Sequence, residues 1–265
     1  MRRLLMLLGF LVATVVNAQV PRPVSTCAPQ VPWGAPVTSH PSPKIICRNA
    51  YLTANDTSAR LPIWTAYTLT PEHAVGCVTR SDSFVADNSL LPGTRAELTD
   101  YRGSGYDRGH LAPDADMSWR PDVEQDSFIL TNIVPQNASF NRGIWARLES
   151  NVRAWALTRG HNMTVYTGPI YNNKDKTIGM SRVVVPRSMY KIVIDDATRE
   201  VAGWLFTNDD NNFPNLDMAR VSVARIEQLA GVRFMYPAGY KELAANAAWP
   251  ADQTRYATVK RNKCN

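Results

Sequence analysis

The sequence predicts an α+β fold, with a central antiparallel sheet flanked by helices. Short runs rich in β-branched and aromatic residues recur along the chain, residues 62–69 (PIWTAYTL) and 190–194 (YKIVI) being the clearest. Ile144, Trp145, Leu148, Val152 and Trp155 recur at three- and four-residue steps, the apolar stripe of a helix facing a core. The 265 residues are 45% hydrophobic, which supports a packed core and excludes a disordered chain.

Taken in order, the chain opens with Met1, Arg2 and Arg3, then an apolar run over residues 4–16, then small residues ending at Ala18. A charged start, a short apolar stretch and a small-residue cleavage site are the marks of a secretory signal peptide over residues 1–18. The run is shorter than the roughly 20 residues a membrane helix needs, and no later segment is apolar enough to span. Export to the periplasm or the medium is expected, with no membrane partner. Loss of Arg2 and Arg3 lowers the formal charge from +6 to +4, a mild surplus that suits a phosphate-rich polymer without requiring one.

Residues 19–44 carry seven prolines and are expected to form an extended arm without regular structure. The domain proper is placed at 45–265. Strands are expected at 45–47, 51–53 and 62–69, and later at 165–168, 183–185, 190–194 and 201–206. A second long helix is expected at 216–229, ended by Gly231. Cys27, Cys47, Cys77 and Cys264 form an even set in an exported chain, so two disulfides are expected. Three connectivities are open; pairing Cys27 with Cys47 staples the arm, and Cys77 with Cys264 ties down the tail. No Cys-x-x-Cys spacing supports zinc.

The chemistry concentrates between Tyr106 and Arg153. Asp107-Arg108-Gly109-His110 supplies a cation, a flexible backbone point and an imidazole. An apolar run, 128–130, leads to Asn132 and reads as a strand. Asn141 stands where a helix begins and suits an N-cap. Glu149 follows two turns later, rotated by about 80°, so both border one cleft. His110 is the general base: an unperturbed imidazole is largely neutral at pH 7 and accepts a proton. Asn141 offers a carboxamide oxygen to Mg²⁺, a hard cation that needs few protein ligands. Asn132 and Gln136 either orient groups at the site or close a turn around Pro135. Glu149 either orders the ion's waters or pairs with Arg153 one turn on. Asp107 is expected to hold its loop through backbone hydrogen bonds.

Asp-Arg-Gly-His-x-Ala-Pro, Asn-x-x-Pro-Gln and Asn-x-Gly-x-Trp-x-x-Leu-Glu, in this order and spacing, resemble the DNA/RNA non-specific endonucleases of the secreted bacterial nuclease and endonuclease G type. The likeness runs over about residues 60–236. It implies a ββα-metal active site and Mg²⁺-dependent cleavage of DNA and RNA that leaves 5′-phosphate ends, with Mn²⁺ as a substitute ion. It implies a phosphate-contacting arginine near Arg80, although the local match there is poor. It also places Arg153, with Arg147 behind it, near the substrate. Arg108 is either a phosphate contact or a partner of Asp107. A homodimer is left open. The competing readings are a secreted nucleic-acid-binding protein that does not cut and a phosphodiesterase for a small substrate.

Overall fold

The computed structural model describes residues 24–210, 213–244 and 249–265. The expected signal peptide lies outside the described residues. Strands β1 (Lys44–Cys47), β2 (Leu52–Asp56) and β3 (Leu61–Leu69) form an antiparallel meander. Strands β4 (Asp107–His110) and β5 (Ile133–Gln136) stand apart as a separate antiparallel pair. Strands β6 (Met163–Ile170), β7 (Ser188–Asp195) and β8 (Glu200–Thr207) return to the main sheet, with β6 antiparallel to both β3 and β7. Strand β9 (Arg220–Val221) borders β8, and Lys241–Glu242 adds a short parallel pairing to β8. The sheet therefore has eight strands, seven of them in the order β9-β8-β7-β6-β3-β2-β1.

Strict alternation along the central strands sends side chains to two separate cores. Tyr166, Tyr190, Ile192 and Ile194 pack on one face with Val223 and Ile226. Met163, Val165, Met189 and Val193 pack on the other with Leu148, Val152 and Trp155. Those two outer sets belong to helices. In chain order the longer helices are α1 (Pro121–Ser127), α2 (Ala146–Arg159), α3 (Val223–Ala230) and α4 (Gln253–Cys264). The predicted apolar stripe of α2 is buried throughout, and Gly160 closes the helix in the left-handed region.

Three expectations need correction. The apolar run at 128–130 is not a full strand: Phe128 ends α1, Ile129 makes one isolated parallel bridge to Val85, Leu130–Asn132 is a 3-10 turn, and the ladder with β4 starts at Ile133. A short apolar run has no periodicity that separates a strand from a buried turn. The helix expected at 216–229 begins only at Val223, where Ser222 caps it by accepting from the Arg225 N–H. Residues just before it are claimed by the edge of β8. The proline-rich arm has regular pieces: Val24–Gln30 is a 3-10 helix, and Val37–Thr38 pairs with Val232–Arg233. Buried Cys27 and Val31 hold it against the body. The tail, for which no element was expected, contains α4, capped by Asp252. Cys27 bonds to Cys47 and Cys77 to Cys264, so the arm and tail are each stapled.

Candidate active site

The site is built where the β4–β5 pair meets the entry to α2. Along the pair, Asp107 faces Gln136 and His110 faces Ile133. Gly109 is needed because a Cβ there would fall 2.0 Å from Oε1 of Gln136. After β5, Asn137 caps a single helical turn by accepting from the Ser139 and Phe140 N–H groups. Asn141 is therefore not the N-cap, and its side chain is free for other work. Asn141–Trp145 winds as a π-turn around Gly143, whose φ of −102° and ψ of −108° are not helical. Such turns recur at functional sites because they re-aim side chains.

Two contacts fasten this turn to β4. Asn141 Nδ2 donates to Asp107 Oδ2 at 2.9 Å, and Trp145 Nε1 donates to the His110 carbonyl at 3.4 Å. The same short strand thus carries His110 and anchors Asn141. Asp107 accepts from Arg142 as well, at 2.9 and 2.7 Å, and makes side-chain bonds here instead of the expected backbone ones. Against the upward pull of burial, these partners hold its carboxyl below the usual range. With the Asn141 nitrogen so committed, its oxygen is the atom left to bind a cation.

His110 is 8% exposed and its Nε2 is buried with no hydrogen-bond partner. Its ring lies 5.4 Å from Phe84 and 5.1 Å from Phe128. Arg108 stacks on that same Phe84 at 4.1 Å, and Arg80 on that same Phe128 at 4.9 Å. Arg108 makes no salt bridge with Asp107, which is taken by Arg142. Arg80 is bonded to Asp82 at 2.8 Å and to Asp114. Burial pushes the imidazole down to about 3, and the Arg80 and Arg108 cations push the same way. Above that pH the ring is neutral and can accept a proton.

Glu149 lies further along α2, with Oε1 buried and unpartnered. Burial pushes its carboxyl up, against the pull of Lys191. Lys191 is fully buried, and burial pushes its ammonium down, against Glu149. Its Nζ donates to the Leu111 carbonyl and to Thr167 Oγ1, each at 3.4 Å. The alternative Glu149–Arg153 pair does not form; Arg153 Nη1 bonds instead to buried Asp116 at 2.8 Å. Tyr67 donates to the other oxygen of Asp116.

The remaining candidates separate from this centre. Asn132 is fully buried; its Nδ2 donates to the Ala112 and Ser127 carbonyls and its Oδ1 accepts from the Ala112 N–H. With its amide spent on backbone, it closes the turn into β5 and does not face a reacting group. Gln136 is sealed beneath Gly109, both amide atoms buried without partners. Arg147 is exposed and donates to the Pro214 carbonyl at 3.3 Å.

Among the described residues, no three His, Cys, Asp or Glu side chains cluster to cage a metal. A hard, well-hydrated cation needs no such cage. The uncommitted Asn141 oxygen and the orphaned Glu149 Oε1 fit that kind of ion.

A family model described as DNA/RNA non-specific endonuclease matches residues 35–240. The chain belongs to the DNA/RNA non-specific endonuclease family. Human mitochondrial endonuclease G is 33% identical over 205 residues, covering 71% of this chain and 68% of that one. A nuclease of Serratia marcescens is 30% identical over 241 residues, covering 87% of each. A crystal structure of an EndoG/EndoGI complex superposes with a TM-score of 0.72 at 29% identity, covering 78% of this chain and 90% of that one. The chain is accordingly a DNA/RNA endonuclease, a hydrolase of phosphodiester bonds, and metal dependence comes with the family.

Within that frame, sequence reasoning missed Asp107 as the anchor of Asn141, half-buried Asp114 as a partner of Arg80, and the buried pair Asp116 and Lys191. Lys191 was detectable: it is a lone charge within the otherwise apolar strand Tyr190-Lys191-Ile192-Val193-Ile194. Asp107 carried no comparable signal, because its partners lie 34 and 35 residues away.

Proposed function

We propose that this chain is an exported, Mg²⁺-dependent nuclease that cuts DNA and RNA without sequence preference and leaves 5′-phosphate ends, Mn²⁺ serving as a substitute ion. The supporting observation is the buried, unpartnered Nε2 of His110 set between two arginines, on the strand that also anchors Asn141. In this reading His110 takes a proton from the attacking water. Arg80 and Arg108 brace the charge that builds on the phosphate, which a planar guanidinium does with two donors at once. An anionic phosphate between them offsets their repulsion of the imidazolium, so basicity rises when substrate binds. Asn141 Oδ1 would hold the ion, which would supply Lewis-acid stabilisation to the phosphate. Glu149 orders water beside it. Arg153 and Arg147 serve the substrate side, Arg153 by fixing Asp116, and Asn132 and Gln136 support the β4–β5 pair. Contacts to backbone phosphates explain indifference to sequence. Export rests on residues 1–18.

The test is digestion of plasmid DNA and of RNA with Mg²⁺ or with EDTA, followed by end analysis. Cleavage only with the ion, leaving 5′-phosphates, is expected. Retained binding without cleavage in Mg²⁺ contradicts the proposal.

A further inference from the structure

Arg108, which flanks His110, also lines a concavity of about 350 Å³ whose other walls are Leu98, Tyr101, Arg102, Tyr106 and Asp107. That volume lies in the range of small-molecule sites, roughly 300–1,000 Å³. The charge inside it is one-sided. Asp107 is already neutralised by Arg142. Arg80, Arg95, Arg120, Arg142 and Arg153 are all held by carboxylates, whereas Arg102 and Arg108 are in no ion pair among the described residues. Both are exposed. Two uncompensated guanidiniums on one concave wall are an anion site in waiting.

The other walls are aromatic and apolar. Tyr106 is half-buried, with Lys176 Nζ 5.0 Å from its ring centroid and 3.4 Å from its hydroxyl. Leu98 is 38% exposed. Tyr101 is 6% exposed, and its hydroxyl is buried with no hydrogen-bond partner among the described residues. That oxygen is sealed from the concavity, so Tyr101 contributes ring surface to the wall and not its hydroxyl. Unpaired cations and aromatic faces together match a nucleotide: phosphate and base plane.

Resting on the nuclease reading above, we propose that this concavity receives one unpaired nucleotide adjoining the scissile phosphate, with its base against Tyr106 and its outer phosphate on Arg102. Because Arg108 is shared by the two places, the nucleotide held is the neighbour of the one being cut. Stacking on an aromatic ring accepts any base, so the pocket adds affinity without adding sequence preference. A base seated there has left its own stack, so flexible and single strands are favoured over a rigid duplex.

The experiment compares two single-stranded oligonucleotides of equal length, one with normal bases and one built of stable tetrahydrofuran abasic residues. Both carry the same phosphates. Wild-type protein is expected to favour the base-bearing strand about tenfold in kcat/KM, the scale of one base–aromatic stack. In Tyr106→Ala that preference disappears while cleavage of the abasic strand is unchanged. Tyr106→Trp keeps the preference, which guards against a folding defect. Arg102→Ala weakens both strands equally. An undiminished preference in Tyr106→Ala, or none in wild type, overturns the pocket and leaves the nuclease reading standing. A wild type that cuts no strand overturns the nuclease reading itself.

Discussion

His110 and Glu149 titrate in opposite directions, and the difference is measurable. Burial and two cations lower His110 to about 3, so it stays neutral as pH falls through the range where histidine usually charges. Burial raises Glu149, so that carboxylate takes up a proton first. Activity should therefore fall on the acid side through Glu149. In Glu149→Gln the acid limb of the kcat/KM profile is expected to vanish, on a plateau roughly 10–100-fold lower, as for groups that support a metal site. A limb that persists unchanged in that variant would assign it to His110 and contradict this account. Arg153 belongs to a different category of residue. Its guanidinium meets Asp116, whose side chain is fully buried. Arg153→Met leaves that carboxylate without its counter-charge, with only the Tyr67 hydroxyl bonded to it, and is expected to cost about 3 kcal/mol in urea unfolding, the scale of a broken buried pair.

At the scale of elements, the β4–β5 pair and the π-turn do the positioning. Asn132 is the pin between them and the preceding helix, making three hydrogen bonds to backbone with one amide. Asn132→Ala is expected to destabilise the protein by about 3 kcal/mol, because buried backbone groups lose their partners. Chemical denaturation followed by tryptophan fluorescence checks this; an unchanged midpoint would remove Asn132 from its structural role. The contrast with α2 shows what sequence could reveal. Ile144, Trp145, Leu148, Val152 and Trp155 announced their helix through spacing alone, and β3 and β7 announced themselves through composition. Asn132 and Asn141 were legible as polar residues at motif positions, but not their tasks. Which of the two amides is spent on backbone depends on Asn137 taking the cap and on Asp107, far away in sequence, taking the Asn141 nitrogen. Likewise the run at 128–130 supports only a single parallel bridge, Ile129 to Val85, while Phe128 packs on His110 and Phe84.

Across the whole molecule, one sheet carries two cores, and the site sits on the face covered by α2. The Cys77–Cys264 bond closes a loop of 187 residues and ties α4 to the body, where Tyr256 donates to the Ala74 carbonyl and Gln253 bonds to Asn151 and Ser150. Replacing both cysteines by serine is expected to cost about 3 kcal/mol through restored freedom of the unfolded chain. For a protein of this size that lowers Tm by roughly 6 °C in scanning calorimetry. Cleavage at 25 °C should survive, since among the described residues α4 meets the body at Ala74, Ser150, Asn151 and Arg153 and makes no hydrogen bond to His110 or Asn141. Equal loss of activity and stability would place α4 closer to the chemistry than its contacts indicate.

The central claim is that a neutral imidazole at position 110 removes the proton from water in phosphodiester cleavage. Single-turnover cleavage by His110→Ala, with and without added free imidazole, tests it most directly. The account predicts a loss of about 10³-fold, within the range for a general base, partly restored by imidazole while Tm is unchanged. A His110→Ala protein that cuts as fast as wild type would contradict it.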